Sequence, residues 1–308
     1  MDKIAVIMSC YKGEKYISEQ IDSILSQKNV EVSLFIRDDM IDDPTLAIIN
    51  HYTSKYNNVH LISDDFGNCK PKKSFLLSLK YVVTNFNFEY YAFADQDDYW
   101  LNEKLCSALK KIKMIKNLKP TLYYSNKTFV DENLKLIKEE NIIYYNDYIE
   151  AMNSCLASGC TMVFNKKLAA LALRKIPTES FMHDGWIYRI AKSIDSNIIF
   201  DCKSYIKYRQ HGNNVCGIET CKPYNDNFSF AIKSLKSERV SWRFKEFSEI
   251  KETFGEELTS DAKKYIDMLL NYRFCKEKKR MLMKDKNVKK RGFKYLLQWK
   301  LKIILNKL

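Results

Sequence analysis

Residues 90–100 read YYAFADQDDYW. The first five form an apolar, aromatic run of the kind that makes a buried strand, and the run stops abruptly at Asp95, Gln96, Asp97 and Asp98. Three carboxylates within four positions at a strand end repel one another. That raises their pKa values and costs stability unless a cation or a set of backbone donors offsets the charge. Carboxylates with no histidine or thiol beside them in sequence suit a hard, oxygen-seeking ion such as Mg2+ or Mn2+. A single aspartate here would serve equally well as a cap for a helix starting near Asn102. Three at the carboxyl end of an apolar strand, where open α/β sheets bind ligands, favour the metal.

Upstream, strand and helix patterns alternate. Residues 4–9 (IAVIMS) are a compact apolar run broken by Cys10, Tyr11, Lys12 and Gly13, and Ile17, Ile21, Ile24 and Leu25 then recur at helical spacing. Residues 32–36 form a second strand running into Arg37, Asp38 and Asp39. A helix follows from Pro44 to about Tyr56, with the proline at a permitted first-turn position. Residues 59–62 make a third strand. A loop with Gly67 and the basic run Lys70, Lys72 and Lys73 leads to a helix marked by Phe75, Leu76, Leu79, Val82 and Val83. This alternation predicts right-handed crossovers and a parallel sheet whose loops share one edge, so that Tyr11, Asp38, Asp39 and the acidic cluster line one crevice. No GxGxxG follows the first strand and no GxxxxGK[ST] occurs, so a phosphate group would be met by a metal or by basic side chains.

Length and composition fit that scheme. The chain has 308 residues, 46% of them hydrophobic, enough for one large domain with an appendage or for two domains. The nine cysteines show no CxxC pair. Cys155 with Cys160 and Cys216 with Cys221 lack histidine partners at zinc-finger spacing, so all nine read as structural or incidental. With no signal-peptide pattern at the amino terminus, reduced thiols in a cytoplasmic compartment are expected. No apolar run approaches the length of a membrane span. The net charge of +13 sits at one end: residues 1–232 hold 29 basic and 28 acidic side chains, residues 233–308 hold 22 and 10. That asymmetry argues against a surface that wraps nucleic acid and for a near-neutral body with a basic attachment device.

Taken in order, VIMSCYKGEKYISEQIDSILSQ, FIRDDMIDDPT, FADQDDYW, SGCTMVFNKK, MHDGWIYRIA and YRQHGNNVCG make residues 1–217 resemble the family 2 glycosyltransferases of GT-A fold. The branch most similar is the bacterial one that includes rhamnosyltransferases of surface-polysaccharide synthesis. The resemblance implies an α/β fold of Rossmann-like type, a mainly parallel sheet flanked by helices. It implies a catalytic domain over residues 1–224, with a helical, basic extension over 225–308. The implied activity is an inverting transfer of a sugar from a nucleoside diphosphate donor to a saccharide acceptor, commonly lipid-linked, with Mg2+ or Mn2+ as cofactor.

Carried over by position, the resemblance makes Tyr11 a wall of the nucleotide pocket and Asp39 the acceptor for a donor on the nucleobase edge. Asp95 and Asp97 match the Asp-x-Asp that meets the ribose and the metal-bound diphosphate. His211 falls in the late motif that closes over the diphosphate or the metal, and Asp184 matches the general base. The family's Gly-Ser after the second-strand acidic pair is replaced by Met40 and Ile41, although Asp43 matches the later aspartate. An aromatic common beside the base is replaced by Gly185. Read without the family, Asp184 is equally a helix N-cap, and His211 an exposed loop histidine. The small residues at 158–163 either floor the acceptor site or simply permit close packing. Lys70, Lys72 and Lys73 either face the diphosphate or, as charge runs more often do, form a solvated loop.

Beyond Gly217 the composition changes. Residues 225–227 read as a linker, and helical patterns run over about 228–254 and 259–283. In the last stretch Lys286, Lys289, Lys290, Arg291, Lys294, Lys300, Lys302 and Lys307 alternate with Phe293, Leu296, Leu297, Trp299, Leu301, Ile303, Ile304, Leu305 and Leu308. A basic helix with a broad apolar face suits an anionic membrane surface, which would place the protein on the inner face of the cell membrane. The same face would also suit packing on its own domain or on a second copy in a homodimer. Two other classes use the same features: a metal-dependent phosphoryl-transfer enzyme or nuclease with nucleic acid on the tail, and a non-catalytic basic scaffold.

Overall fold

The computed structural model describes residues 1–40, 44–117, 119–142, 148, 152, 157–178, 182–212, 214, 242–284 and 293–307. The expected boundary after residue 224, the linker at 225–227, Ile41, Asp43, and Lys286, Lys289, Lys290 and Arg291 lie outside the described residues.

One nine-stranded sheet organises the chain. β1 (Asp2–Cys10) runs between β2 (Val30–Asp38) and β4 (Tyr90–Ala94), parallel to both, and β3 (Val59–Leu61) adds a further parallel strand outside β2. Residues 4–8 of β1 are wholly buried. A strand covered on both faces needs apolar side chains at every position, which is why this one reads as an unbroken run. Ala5, Ile7 and Phe93 enter one core with Phe75, Leu76 and Leu79 of α3 (Lys70–Asn85). Ile4, Val6, Met8, Ala92 and Ala94 enter the opposite core. There they meet Ile21 of α1 (Ile17–Leu25), Ile49 of α2 (Pro44–Lys55) and Leu105 of α4 (Lys104–Met114).

Past β4 the sheet is mixed, where the alternation upstream led to a parallel expectation. β8 (Val163–Asn165) runs antiparallel between β4 and β6 (Thr121–Val130), and β9 (Asn197–Arg209) lies parallel to β6. β7 (Leu136–Glu139) folds back on β6 as a hairpin. Only residues 95–98 separate β4 from β5 (Tyr99–Trp100). Four residues are too few for a parallel crossover, so β5 leaves its predecessor and pairs antiparallel with β9. The acidic loop is therefore pinned between two different regions of the sheet.

Two helices complete the face opposite α1: α5 (Lys166–Ala172), capped by Asn165 accepting from the Leu168 N–H at 3.1 Å, and α6 (His183–Ser193). The basic run Lys70, Lys72 and Lys73 is not in a loop: it forms the first turn of α3, where Pro71 occupies an opening position whose missing N–H costs nothing. The carboxyl-terminal segment holds α7 (Trp242–Phe254), α8 (Ser260–Asn271), α9 (Lys276–Met283) and α10 (Phe293–Ile304). The pattern expected as one helix over 259–283 breaks after Asn271, whose carbonyl takes the N–H groups of Phe274 and Cys275.

The basic helix α10 divides its apolar residues between two sides. Trp299 and Ile303 are buried in the same core cluster as Leu282, Phe247 and Trp186, and Trp299 Nε1 donates to Leu282 O at 3.1 Å. Leu297, Leu301, Ile304 and Leu305 remain exposed on the other side. On its docked side this stretch packs on its own chain, one of the placements its apolar face allowed. Burying an indole that has found a partner for its N–H gains more than leaving it at an interface. Replacement of Trp299 by alanine should therefore lower the unfolding free energy by about 3 kcal/mol or more, as expected for a buried Trp→Ala cavity, measured by denaturant titration.

Candidate active site

The strand register aligns the ends that matter. Cys10 pairs with Asp38 and Met8 with Ala94, so the loops after β1, β2 and β4 leave the sheet at one level. The first loop is locked to the third: the Tyr11 N–H donates to Gln96 Oε1 at 2.8 Å, and Gln96 Nε2 donates to Tyr11 O at 3.0 Å. A Cβ at Gly13 would collide with that same amide oxygen, and the Gly13 N–H instead donates to Thr45 Oγ1 at 2.9 Å. The Tyr11 ring stays 45% exposed above this frame.

At the end of β2, Asp39 is buried against the Arg37 guanidinium. Arg37 also forks onto Asp64, with Nε to Oδ2 at 2.7 Å and Nη2 to Oδ1 at 2.9 Å. Hydrogen bonding to Arg37 holds the Asp64 carboxyl below its ordinary value. A planar guanidinium with five donors is suited to bracing two carboxylates in this way.

The acidic loop itself is braced from behind by Arg209, a buried residue that the sequence reading passed over. Its Nε donates to Asp97 O at 2.9 Å and its N–H to Asp98 Oδ1 at 3.2 Å. The guanidinium also reaches Glu132 O and the Glu19 carboxylate, and it lies 4.5 Å from the centre of the Tyr16 ring. His211 follows two positions later, and its Nε2 lies 2.8 Å from Asp97 Oδ2. The histidine that could have been an exposed loop residue is thus 11% exposed and in contact with the acidic loop.

Burial, then Asp97 and Asp184, push the Asp95 carboxyl up to about 7. Burial, then Asp97 and Asp95, push Asp98 well above the ordinary carboxylate range, and its Oδ2 is buried without a hydrogen-bond partner. A buried carboxylate oxygen with no donor costs free energy, and a cation removes that cost. Asp97 Oδ2 and His211 Nε2 share a 2.8 Å hydrogen bond beside these carboxylates, and oxygen donors with one imidazole suit a hard divalent ion. The donor set therefore fits Mg2+ or Mn2+. Cys160, read from sequence as incidental, has its sulfur in the same cluster, within 4.8 Å of carboxylate oxygens of Asp95 and Asp98. Burial first, then the Asp98 and Asp95 charges, raise that thiol well above its ordinary value, so it is a protonated neighbour and a poor ligand for a hard ion.

Two buried lysines also escaped the sequence reading. Lys127 of β6 donates to Ser158 Oγ at 2.7 Å, and its charge draws the Asp95 and Asp98 values back down. Lys104 opens α4 with its ammonium 3.5 Å over the Trp100 ring. Burial lowers it to about 7, and no hydrogen-bond partner meets its nitrogen. Neither residue carries a local sequence signature; only the non-local pairing of β6 with β8 and β9 brings Lys127 under the acidic loop.

Asp184 comes from the other side, on the first turn of α6. It is not the cap, because the N-cap is Met182. Its Oδ2 accepts from the Gly159 N–H at 3.0 Å and its Oδ1 from the Gly185 N–H at 2.6 Å. The neighbouring His183 ring stacks on Phe75 at 4.0 Å and meets Phe93 edge-on at 4.9 Å, and burial lowers it to about 4. Gly159 makes this approach feasible, since an added Cβ would lie 2.6 Å from His183 Nε2. Gly159 thus permits close packing against the Asp184 turn. At Gly185, where the family has an aromatic, an added Cβ would lie 2.6 Å from Arg189 Nη1.

A parallel half-sheet ending in Asp-x-Asp, joined to a mixed half whose helix brings a carboxylate to face it, defines the GT-A class of sugar-nucleotide fold. The model of glycosyl transferase family 2 matches residues 5–170, more than half of the chain, and the chain belongs to that family. It is a glycosyltransferase, and the nuclease and scaffold alternatives fall away. Among relatives, the dTDP-rhamnosyl transferase RfbG of Shigella flexneri is 29% identical over 262 residues, spanning 79% of this chain and 83% of the relative. An uncharacterized glycosyltransferase of Haemophilus influenzae is 23% identical over 259 residues, spanning 78% and 73%. Among solved structures, TarS 1-349 of S. aureus in complex with UDP-GlcNAc superposes with a TM-score of 0.57 at 15% identity, covering 99% of this chain and 92% of that one. The mannosyltransferase PcManGT of Pyrobaculum calidifontis, in complex with GDP-Man and Mn2+, gives 0.51 at 12% identity, covering 99% and 88%.

The fit at Gly159 is directly testable. His183 is a rigid ring between two phenylalanines and cannot swing away, so Gly159→Ala must move the Asp184 turn. Sugar transfer should fall by about ten- to a hundredfold with the protein still folded, measured as initial rates alongside circular dichroism.

Proposed function

We propose that the protein is an inverting glycosyltransferase that moves a sugar from a nucleoside diphosphate donor to a lipid-linked saccharide acceptor during assembly of a cell-surface polysaccharide. One observation carries the reading: Asp184, from a separate element, accepts from the Gly159 N–H at 3.0 Å, and the sulfur of the adjoining Cys160 lies within 4.8 Å of carboxylate oxygens of Asp95 and Asp98, which puts a second carboxylate beside the acidic loop. Inversion requires such an arrangement, with the acceptor hydroxyl attacking from the side opposite the leaving group and a base in reach of its proton.

In this scheme Tyr11 walls the nucleotide, and Asp39, oriented by Arg37, accepts from the base edge. Asp95, Asp97 and His211 would hold Mg2+ or Mn2+, which when bound supplies Lewis-acid neutralisation of the charge growing on the departing diphosphate. Arg209 holds the acidic loop in place from behind. Asp184 takes the proton of the attacking hydroxyl, its two oxygens oriented by the Gly159 and Gly185 N–H groups. The relatives' named donors support the substrate class: dTDP-linked rhamnose for RfbG, UDP-GlcNAc in the TarS complex and GDP-Man in the PcManGT complex.

Attachment to the inner face of the membrane is part of the proposal. No helix among the described residues is long and apolar enough to cross a membrane. The exposed side of α10 instead presents Leu297, Leu301, Ile304 and Leu305, with Lys300 and Lys307 nearby in sequence. Each basic residue at an anionic surface contributes about 1 kcal/mol, and apolar insertion adds to it.

Chelation should abolish transfer, and so should Asp97→Asn in a protein that remains folded; full turnover in either condition would sink the metal assignment. Asp184→Asn should lower kcat by about two orders of magnitude or more while donor affinity by calorimetry stays nearly unchanged. The protein should sediment with anionic vesicles at low salt and release only in part as salt rises, and Leu301→Asp should weaken that binding without loss of turnover on a soluble acceptor.

A further inference from the structure

The carboxyl-terminal extension reaches into the segment that carries Asp184. Two acidic residues one turn apart on α7, Glu246 and Glu249, are both buried, at 0% and 8% exposure. Glu246 Oε1 accepts from Arg189 Nη1 at 2.7 Å, and Arg189 is the residue that fills the space over Gly185. Glu249 Oε1 accepts from the Thr178 hydroxyl at 2.7 Å and from the Thr178 N–H at 3.1 Å. One helix thus holds the chain at a position six residues before Asp184 and again at a position five residues after it. The far end of α6 is tied to the same extension by the Thr259 N–H donating to Ser193 O at 2.9 Å.

We propose that Glu246 and Glu249 of α7, acting through Arg189 and Thr178, are positioning residues that set the placement of Asp184, which makes the extension a working part of the transfer site. The inference rests on the reading of Asp184 as the base. A buried ion pair stabilises a fold only weakly compared with apolar packing of the same volume, but it fixes geometry, and loss of one partner leaves a charge without compensation. Apolar packing alone would hold α7 on the body through Phe247 and Ile250. The Glu246 carboxylate adds a fixed position for the Arg189 guanidinium against Gly185, whose own N–H donates to Asp184 Oδ1. The donor-side loops at Tyr11, Asp39 and Asp95 make none of these contacts, so the effect should fall on chemistry and not on donor binding.

The test compares Glu246→Gln, Thr178→Val, Asp184→Asn and the double variant Asp184→Asn/Glu246→Gln in the full-length chain. Turnover is read with whichever nucleotide sugar a donor panel shows to be active, and binding by calorimetry with the corresponding nucleoside diphosphate. Glu246→Gln and Thr178→Val should each lower kcat by about tenfold or more, with nucleoside diphosphate affinity unchanged within about twofold. Because a misplaced base no longer matters once the base is removed, the double variant should be no slower than Asp184→Asn alone. Thr178→Val leaves the buried ion pair intact and keeps the test open should Glu246→Gln fail to fold. Unchanged kcat in the folded single variants, an equal loss of binding, or additive losses in the double variant would each overturn the proposal. If Asp184→Asn itself retains full kcat, it is the base assignment that has failed, and the positioning role falls with it.

Discussion

Mutual repulsion among Asp95, Asp97 and Asp98 is the constraint around which the molecule is built. Three carboxylates at one strand end do not stay together in a low-dielectric setting without offsetting charge. The fold brings Arg209 from β9 and Lys127 from β6 to that end. Each cation comes from a different element, so the loop takes its shape only when the second half of the sheet has closed against the first. The Asp95 and Asp98 carboxyls stay raised, by burial first and by their acidic neighbours second, and a divalent ion would relieve both costs. A site held slightly uncomfortable when empty binds its cation more tightly than one already neutralised.

The two halves of the sheet accordingly do different work. The parallel half delivers loops to one edge through strict register, and its residues alternate between two cores so that each loop leaves at a set height. The mixed half supplies counter-charges and the opposing carboxylate. The helical extension continues the core of this second half, with Trp186, Phe247, Tyr265, Leu282 and Trp299 in one cluster.

The parallel half was largely legible in the sequence because its information is local: the centres of β1, β2 and β4 are mostly apolar, and each strand leads into the polar residues proposed for the site. Asp95, Asp97, Asp184 and His211 were proposed from motif order, and the structure puts His211 in contact with Asp97. Arg209, Lys127, Lys104 and Cys160 were not found, since a buried cation or thiol looks like any other in sequence until strands more than 30 positions apart are paired. The same limit explains α10. Its periodicity announces an apolar face, but only the three-dimensional position of Leu282 decides that Trp299 turns inward while Leu301 does not.

The paired hydrogen bonds between Gln96 and Tyr11 have a consequence for how a nucleotide is received. A side-chain amide that both accepts from and donates to one backbone unit imitates a rung of a β-ladder, and it extends the order of the sheet one step past the end of β1. With the Gly13 N–H held by Thr45 as well, the loop under the Tyr11 ring has little conformational entropy left to lose, and a base placed there as proposed would meet an ordered surface. Ligand capture on this side resembles docking onto a preset surface, and association there should proceed without a slow ordering step.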